Sequence, residues 1–374
     1  MKKKKIDSVV GGYIKSYGKE SDILYIPHNV LGHTLAPNVT TKFSRKITEE
    51  DYHTNKYGWR TNNKKKYEKP DIFIAGDSNC LGTGNEFENT FGEFLSKRIN
   101  KKIANLGVGG YCNLQAVRRI ENNLKVCKPK LIIIIFMELM ARSFQPNSLR
   151  DIVQRPYYRK NISSGDFILV KPRKIPLLLY KRYVKLEKLD GQYYKRREGF
   201  IGKLLLNNLN PIKKIEKILI WFFFQILNRK VENFFLNIFN LKKEKYVDPN
   251  DEDSRLFILK KYVDKLEKII KKNKIKVLVC PIYPYVFNKV RKKKFYNDKK
   301  ILGELIRKKK MNNFYIDLSE NLEKEHNLFF KKRKMATKNF YKELQWTDND
   351  HPTPKGNKII AKCIFKAMKK FSLI

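Results

Sequence analysis

Five short apolar runs punctuate the chain: Asp71-Ile72-Phe73-Ile74-Ala75, Lys102-Ile103-Ala104-Asn105-Leu106, Leu131 to Phe136, Lys276-Val277-Leu278-Val279-Cys280 and Phe314-Tyr315-Ile316-Asp317-Leu318. They lack the strict alternation of a half-exposed strand, so each predicts a short parallel strand buried on both faces. Between them apolar residues recur at helical spacing, first at Phe91, Phe94, Leu95 and Ile99, later at Leu256, Leu259, Val263, Leu266 and Ile270. Strands alternating with helices imply βαβ units, and therefore a three-layer α/β/α sandwich on a five-stranded parallel sheet.

The alternation breaks between the third and fourth strands. Residues 141–247 form an insert whose second half places Ile212, Ile215, Leu219, Phe222 and Ile226 on one helical face, followed by Phe234, Phe235, Ile238 and Phe239. Lys213, Lys214, Lys217, Arg229 and Lys230 are interspersed, so residues 212–240 predict a basic amphipathic helical stretch. Such a stretch suits an anionic membrane surface, a cap over an active site, a partner subunit, or ordinary packing as a helix pair. Residues 1–70, with Pro27, Pro37 and several glycines, predict an irregular leader packed on the core. The expected organisation is thus leader 1–70, first half of the core 71–140, helical insert 141–247 and second half of the core 248–374.

At 374 residues with 42% hydrophobic content the chain can bury a substantial core, which excludes a disordered tail. Lys and Arg number 81 against 37 Asp and Glu, a net charge of +44 that attracts phosphate, anionic lipid or acidic glycan. The basic residues are spread along the whole length without zinc-finger spacing, an RNP aromatic signature or a helix-turn-helix. Specific nucleic-acid recognition is therefore not expected. Five cysteines, odd in number and widely spaced, suggest neither a disulfide framework nor a zinc site. The lysines after Met1 are followed by Asp7, Ser8 and Gly11-Gly12, not by the apolar segment of a signal peptide. The apolar run Ile218 to Phe224 is far shorter than the roughly 18 to 20 residues that cross a bilayer. These features lead to the expectation of a cytoplasmic protein, peripheral on the inner face of the membrane where the insert docks there.

Two segments carry candidate chemistry. The first strand runs into Gly76-Asp77-Ser78-Asn79, placing a serine at the carboxyl end of a strand, where open α/β sheets bind their ligands. Asp, Ser and Gly also serve such turns as helix caps, so this motif alone has a purely structural explanation. Near the other end stands Asp348-Asn349-Asp350-His351-Pro352, with a helix beginning near Gly356. A carboxylate three residues before a histidine can hold the imidazole in the tautomer needed for general-base work.

Taken together, Gly76-Asp77-Ser78, Asn105-Leu106-Gly107-Val108-Gly109-Gly110-Tyr111 and Asp348-x-x-His351-Pro352 resemble blocks I, II and V of the SGNH/GDSL hydrolases. The phrases Leu31 to Asn38 and Asn55-Lys56-Tyr57-Gly58-Trp59-Arg60 are similar to the leader of a bacterial esterase and acyltransferase branch of that family. The resemblance covers the leader, Asp71 to about Phe136, and the chain from Lys276 onward. It implies a flavodoxin-like sandwich with Ser78 as nucleophile, His351 as base and then acid, and Asp348 as the orienting carboxylate, with Asp350 the competing acid. It further implies an oxyanion hole formed by the backbone N–H groups of Ser78 and Gly110. Asn79 and Asn113 are candidate substrate-binding residues.

One block departs from the family. Where the family carries an asparagine donor after the third strand, this chain has Leu139, between Glu138 and Arg142. Losing an oxyanion donor costs roughly 10²- to 10³-fold in rate, so an efficient hydrolase needs a substitute donor, for which Asn113 or a group in the insert is the candidate. The resemblance implies a serine esterase that uses no metal or organic cofactor and cleaves an O-acyl, foremost an O-acetyl, ester of a glycan or lipid. An acyltransferase using a sugar hydroxyl and a weakly active membrane-binding module are the alternatives. Cys80, two residues past Ser78, is expected to react with alkylating reagents. Oligomeric state is not legible in the sequence.

Overall fold

The computed structural model describes residues 13–15, 23–44, 49–62, 69–136, 140–145, 147–149, 153–172, 174–189, 211–227, 244–245, 247–248, 251–282, 289–310, 313–318 and 351–374. The chain divides into two compact units. One comprises His53–Phe144 and Val247–Ile374, the other Met1–Tyr52 and Gln145–Tyr246.

The first unit holds five parallel strands, β1 (Ile72–Ala75), β2 (Ile103–Asn105), β3 (Leu131–Phe136), β4 (Lys276–Pro281) and β5 (Asn313–Tyr315). Their spatial order is β2-β1-β3-β4-β5. That is the flavodoxin-like order, whose direction reverses beside the first strand and leaves a crevice at the carboxyl ends of the strands. Register is set by apolar rungs: Ile72 stands opposite both Ile103 and Leu131, Val277 opposite Ile132, and Leu278 opposite Phe314. All six residues of β3 are buried, as expected of a central strand covered on both faces. The last strand ends at Tyr315, earlier than its apolar run, although Leu318 is still buried. Outside β2 a hairpin adds an antiparallel edge: His53 and Thr54 pair with Thr61 and Arg60, and Arg60 pairs with Asn105.

Helices cover the two faces. On one side α2 (Phe91–Ile99) packs against α6 (Pro354–Lys370). There Phe91, Leu95, Ile360, Ile364 and Met368 meet Ile72, Ile74 and Ile133 in a common core. Phe73, the alternate residue of β1, points to the other face, where its ring meets Trp59 at 5.5 Å. On that side lie α3 (Asn113–Asn123), α4 (Glu252–Asn273) and α5 (Lys289–Lys308), with Tyr262 of α4 packed on Phe136. The helix ends follow capping chemistry: Thr90, Asp251 and Thr353 accept from backbone N–H groups at the starts of α2, α4 and α6, and α4 ends at left-handed Lys274. Between α4 and α5, Arg255 and Asp298 form a buried bidentate pair at 3.0 and 2.5 Å.

In the second unit, residues from the leader and from the insert share one fold. Tyr25–His28 pairs with Gly32–Leu35, Tyr157–Asn161 with Phe167–Val170, and the helix Leu177–Leu189 packs on Pro211–Leu227. The insert therefore opens with strands before its helices. Its Tyr157-Tyr158-Arg159 run favours the extended chain, and the tight turn after it is closed by Asn161 accepting from Ser163 and Ser164. A small core of Val153, Ile175, Tyr180, Tyr183, Val184 and Ile220 holds this unit together.

Candidate active site

β1 delivers Ser78 to the carboxyl edge of the sheet. Asp77 caps the short helix α1 (Ser78–Leu81), its carboxylate accepting from the Asn79 N–H at 3.0 Å, and Gly82 ends it in the left-handed region. Ser78 is half-buried. His351, 5% exposed, places Nε2 2.9 Å from Ser78 Oγ although 273 residues separate them. That distance lets the imidazole accept the hydroxyl proton as oxygen attacks an electrophile.

The two segments are fastened to each other by neighbouring side chains. Asn85, 3% exposed, donates its amide to the Pro352 carbonyl at 2.9 Å, and Asn357 donates to the Asn89 carbonyl at 2.9 Å. Thr353 accepts from the Gly356 N–H as the N-cap, so α6 starts three residues after the histidine. The loop after α1 is itself held by Arg60. Its guanidinium donates to the carbonyls of Leu81 at 2.7 Å, Gly82 at 2.8 Å and Asn85 at 2.5 Å. A planar fork with several donors suits such a cluster, because one side chain satisfies carbonyls that α1 leaves open at its end.

The second motif lies directly against α1. Asn105, at the end of β2, donates to the Cys80 carbonyl at 2.9 Å and accepts from the Gly107 N–H at 2.8 Å, bridging the two loops. Gly107 has no room for a side chain, since a Cβ there would lie 2.6 Å from the Cys80 carbonyl carbon and 2.8 Å from Leu81 Cα. The chain then turns over Val108–Tyr111, closed by the Tyr111 N–H donating to Val108 at 3.3 Å, with Gly110 at φ +79°. A positive φ at the third residue of a turn is the conformation that favours glycine. Arg142 donates to the Tyr111 carbonyl at 3.2 Å, and Arg119 donates to Gly58 at 2.7 Å from beneath the hairpin.

Among the residues singled out in the sequence, the structure brings Ser78 and His351 together and places the Gly110 turn on the loop packed against α1. Asn79 turns its amide towards the Asp77 carboxylate, 3.4 Å from each oxygen. Asn113 is buried as the first residue of α3. Asp348, Asp350, Glu138 and Leu139 lie outside the described residues, as do Arg229, Lys230, Phe234, Phe235, Ile238 and Phe239. The expectation for Cys80 is corrected. Its side chain is fully buried, and burial, with the Asp77 carboxylate nearby, pushes the thiol pKa well up, so the reactive thiolate is suppressed. Sequence reasoning missed Arg60, Asn85 and Asn105 as supports of the site. Arg60 closes the leader phrase and Asn105 opens the second motif, but nothing marks Asn85.

No protein-family model matches the sequence, and no curated protein matches it. The structure is similar to that of a lipolytic protein of the G-D-S-L family from Desulfitobacterium hafniense, with 11% identity over 80% of this chain and 99% of that one and a TM-score of 0.37. It is similar to the psychrotrophic esterase EstA from Pseudoalteromonas, with 12% identity over 81% and 98% of the two chains and a TM-score of 0.37. A third is Axe2, an acetylxylan esterase from Geobacillus stearothermophilus, at 10% identity over 81% and 96% and a TM-score of 0.35. Among the described residues, no group of three or more His, Cys, Asp or Glu could hold a metal ion.

Proposed function

We propose that the protein is an SGNH-type serine esterase acting on an O-acyl ester of a glycan or lipid. The observation that carries this reading is the 2.9 Å contact between His351 Nε2 and Ser78 Oγ at the carboxyl end of the first strand. In the proposed reaction His351 takes the Ser78 proton as the oxygen attacks the ester carbonyl. The tetrahedral oxyanion accepts from the backbone N–H groups of Ser78 and Gly110. Collapse expels the alcohol, which takes its proton from His351 and leaves Ser78 acylated. Water, activated by the same imidazole, then releases the acid. Asp348 is proposed to orient the His351 ring, three residues ahead of it in sequence. Acetyl is the acyl group proposed foremost. A sugar hydroxyl replacing water in the second step would make the same acyl-enzyme a transferase.

The test is labelling of the purified chain with a fluorophosphonate, which reports an activated serine without the natural ester. Wild type is expected to label, and Ser78→Ala and His351→Ala are expected not to. Labelling that persists in Ser78→Ala, or a folded wild type that does not label, overturns the reading. Release of free acetate, as against its appearance on an added sugar, separates hydrolysis from transfer.

A further inference from the structure

The helix Pro211–Leu227 carries an exposed apolar face that the unit's own core does not use. Ile212, Ile215, Leu219, Phe222, Phe223 and Ile226 are all exposed, Ile212 by 77% and Leu219 by 63%. At 3.6 residues per turn these six fall within an arc of about 100°. Ile220 and Trp221, outside that arc, pack into the core of Val153, Tyr180, Tyr183 and Val184, so the helix is held with its apolar arc outward. At about 1.5 Å per residue the helix is about 25 Å long. Isolated exposed apolar residues are ordinary, but a continuous stripe of this size marks an interaction surface.

The surrounding charge identifies the occupant. The neighbouring helix Leu177–Leu189 packs alongside, joined to it by Arg182, which grips Glu216 at 2.6 and 2.8 Å. On that helix Leu178 is 80% exposed, and Lys181 and Lys185, spaced on the same face, are exposed with it. The neighbouring helix has four Lys or Arg against one Glu, and Pro211–Leu227 has three against one. A second copy of the chain would bring these like charges together. An anionic bilayer accepts both the apolar arc and the cations: the side chains enter the boundary between headgroups and acyl chains while the lysines remain at phosphate level. We propose that this two-helix face docks the protein on anionic lipid, with Pro211–Leu227 lying in the plane of the interface. Among the described residues no helix is long and apolar enough to cross a membrane, and the proposed mode requires none. The proposal is independent of the role given to Ser78.

The test is co-sedimentation of the full chain with vesicles of phosphatidylcholine alone and of phosphatidylcholine mixed with phosphatidylglycerol. Binding to the mixed vesicles is expected, with at least about 10-fold less to the neutral ones and weakening as salt rises. Leu219→Glu/Phe222→Glu is expected to lower binding to mixed vesicles by at least about 10-fold, and Lys181→Glu/Lys185→Glu by several-fold. Both variants change exposed residues, and unchanged circular dichroism and melting temperature confirm that they remain folded. The proposal is overturned by absence of binding to mixed vesicles, by equal binding to neutral ones, or by binding that Leu219→Glu/Phe222→Glu leaves intact. It is also overturned if sedimentation velocity shows that the apolar face dimerises the chain and vesicles do not compete.

Discussion

The Asn85 side-chain amide donates to the Pro352 carbonyl at 2.9 Å across 267 residues of sequence, one residue beyond the histidine that meets Ser78. The loop after α1 therefore sets the position of the His351 loop directly. In Asn85→Ala this donor is lost, and the imidazole is free to drift from the serine. A displacement near 1 Å at a reacting pair costs about 10²-fold. We expect the rate of fluorophosphonate labelling to fall between about 10- and 100-fold while the fold persists. Asn85→Asp, which keeps the size but loses the donor, should behave like the alanine variant. An unchanged labelling rate in a folded Asn85→Ala would show that the histidine is positioned by other contacts.

Arg60 should matter through the same loop, and chiefly for stability. Its removal leaves the Asn85 carbonyl without its guanidinium partner, while Gly82 keeps the Asn85 N–H at 3.2 Å and Leu81 the Asn105 amide at 3.5 Å. At about 1 to 3 kcal/mol for a buried group left unsatisfied, Arg60→Ala should lose about 1 to 3 kcal/mol in urea unfolding. Arg60→Lys should recover only part of this, because an ammonium is a point charge that cannot reproduce the planar fork. Equal stability of the lysine variant and wild type would mean that charge, not geometry, is what the site requires.

The sheet was legible because its strands are buried on both faces and so read as uninterrupted apolar runs. β3 coincides with its run from Leu131 to Phe136, and α2 with the spacing of Phe91, Phe94, Leu95 and Ile99. The Ser78 and His351 motifs were legible because polar residues of reactive type stand just after an apolar strand and just before an amphipathic helix. The supports were not. Arg60, Asn85 and Asn105 act through backbone carbonyls and N–H groups, and a side chain that recognises backbone leaves no complementary residue type to find. The strands of the insert were hidden for a different reason: Tyr157–Asn161 and Phe167–Val170 are short and flanked by charge, so they carry little periodic signal.

Cys80 should be silent to alkylation in the native state. Its thiol is buried and its pKa raised, first by desolvation and second by the Asp77 carboxylate, so almost no thiolate forms near neutral pH. Iodoacetamide is expected to modify Cys80 only after denaturation, while half-buried Cys127 reacts first in the folded protein. Mass spectrometry of tryptic peptides decides this. Rapid native modification of Cys80 would mean that the Ser78 loop opens more readily than its contacts imply.

The Arg255–Asp298 pair predicts an asymmetry between single and double variants. Both side chains are buried and bonded through two oxygens, so Asp298→Ala strands a guanidinium away from water. A loss of about 3 to 5 kcal/mol is expected from that variant. Arg255→Met/Asp298→Leu removes both charges and should regain most of the loss, because the pair's attraction largely offsets its desolvation. Chemical unfolding of the three proteins separates the cases, and a double variant as unstable as Asp298→Ala would show that the pair itself holds α4 to α5.

Gly107→Ala tests whether the close approach of the second motif to the nucleophile helix governs chemistry as well as packing. The added methyl would meet the backbone of Cys80 and Leu81, which cannot rotate aside as a flexible side chain would. Either the Val108–Tyr111 turn moves away from α1 or the Asn105 bridge to Cys80 and Gly107 stretches. Overpacking of this kind costs about 1 to 3 kcal/mol, which should appear as a lower melting temperature. Moving the turn also moves the Gly110 N–H relative to Ser78, so labelling by fluorophosphonate should slow by at least about 10-fold even well below the melting temperature. Gly110→Ala provides the contrast. It strains a backbone at φ +79° by about 1 to 2 kcal/mol. If Gly107→Ala lowers the melting temperature but leaves labelling intact, the Gly110 turn does not contribute the oxyanion donor, and the second N–H must come from elsewhere near Ser78.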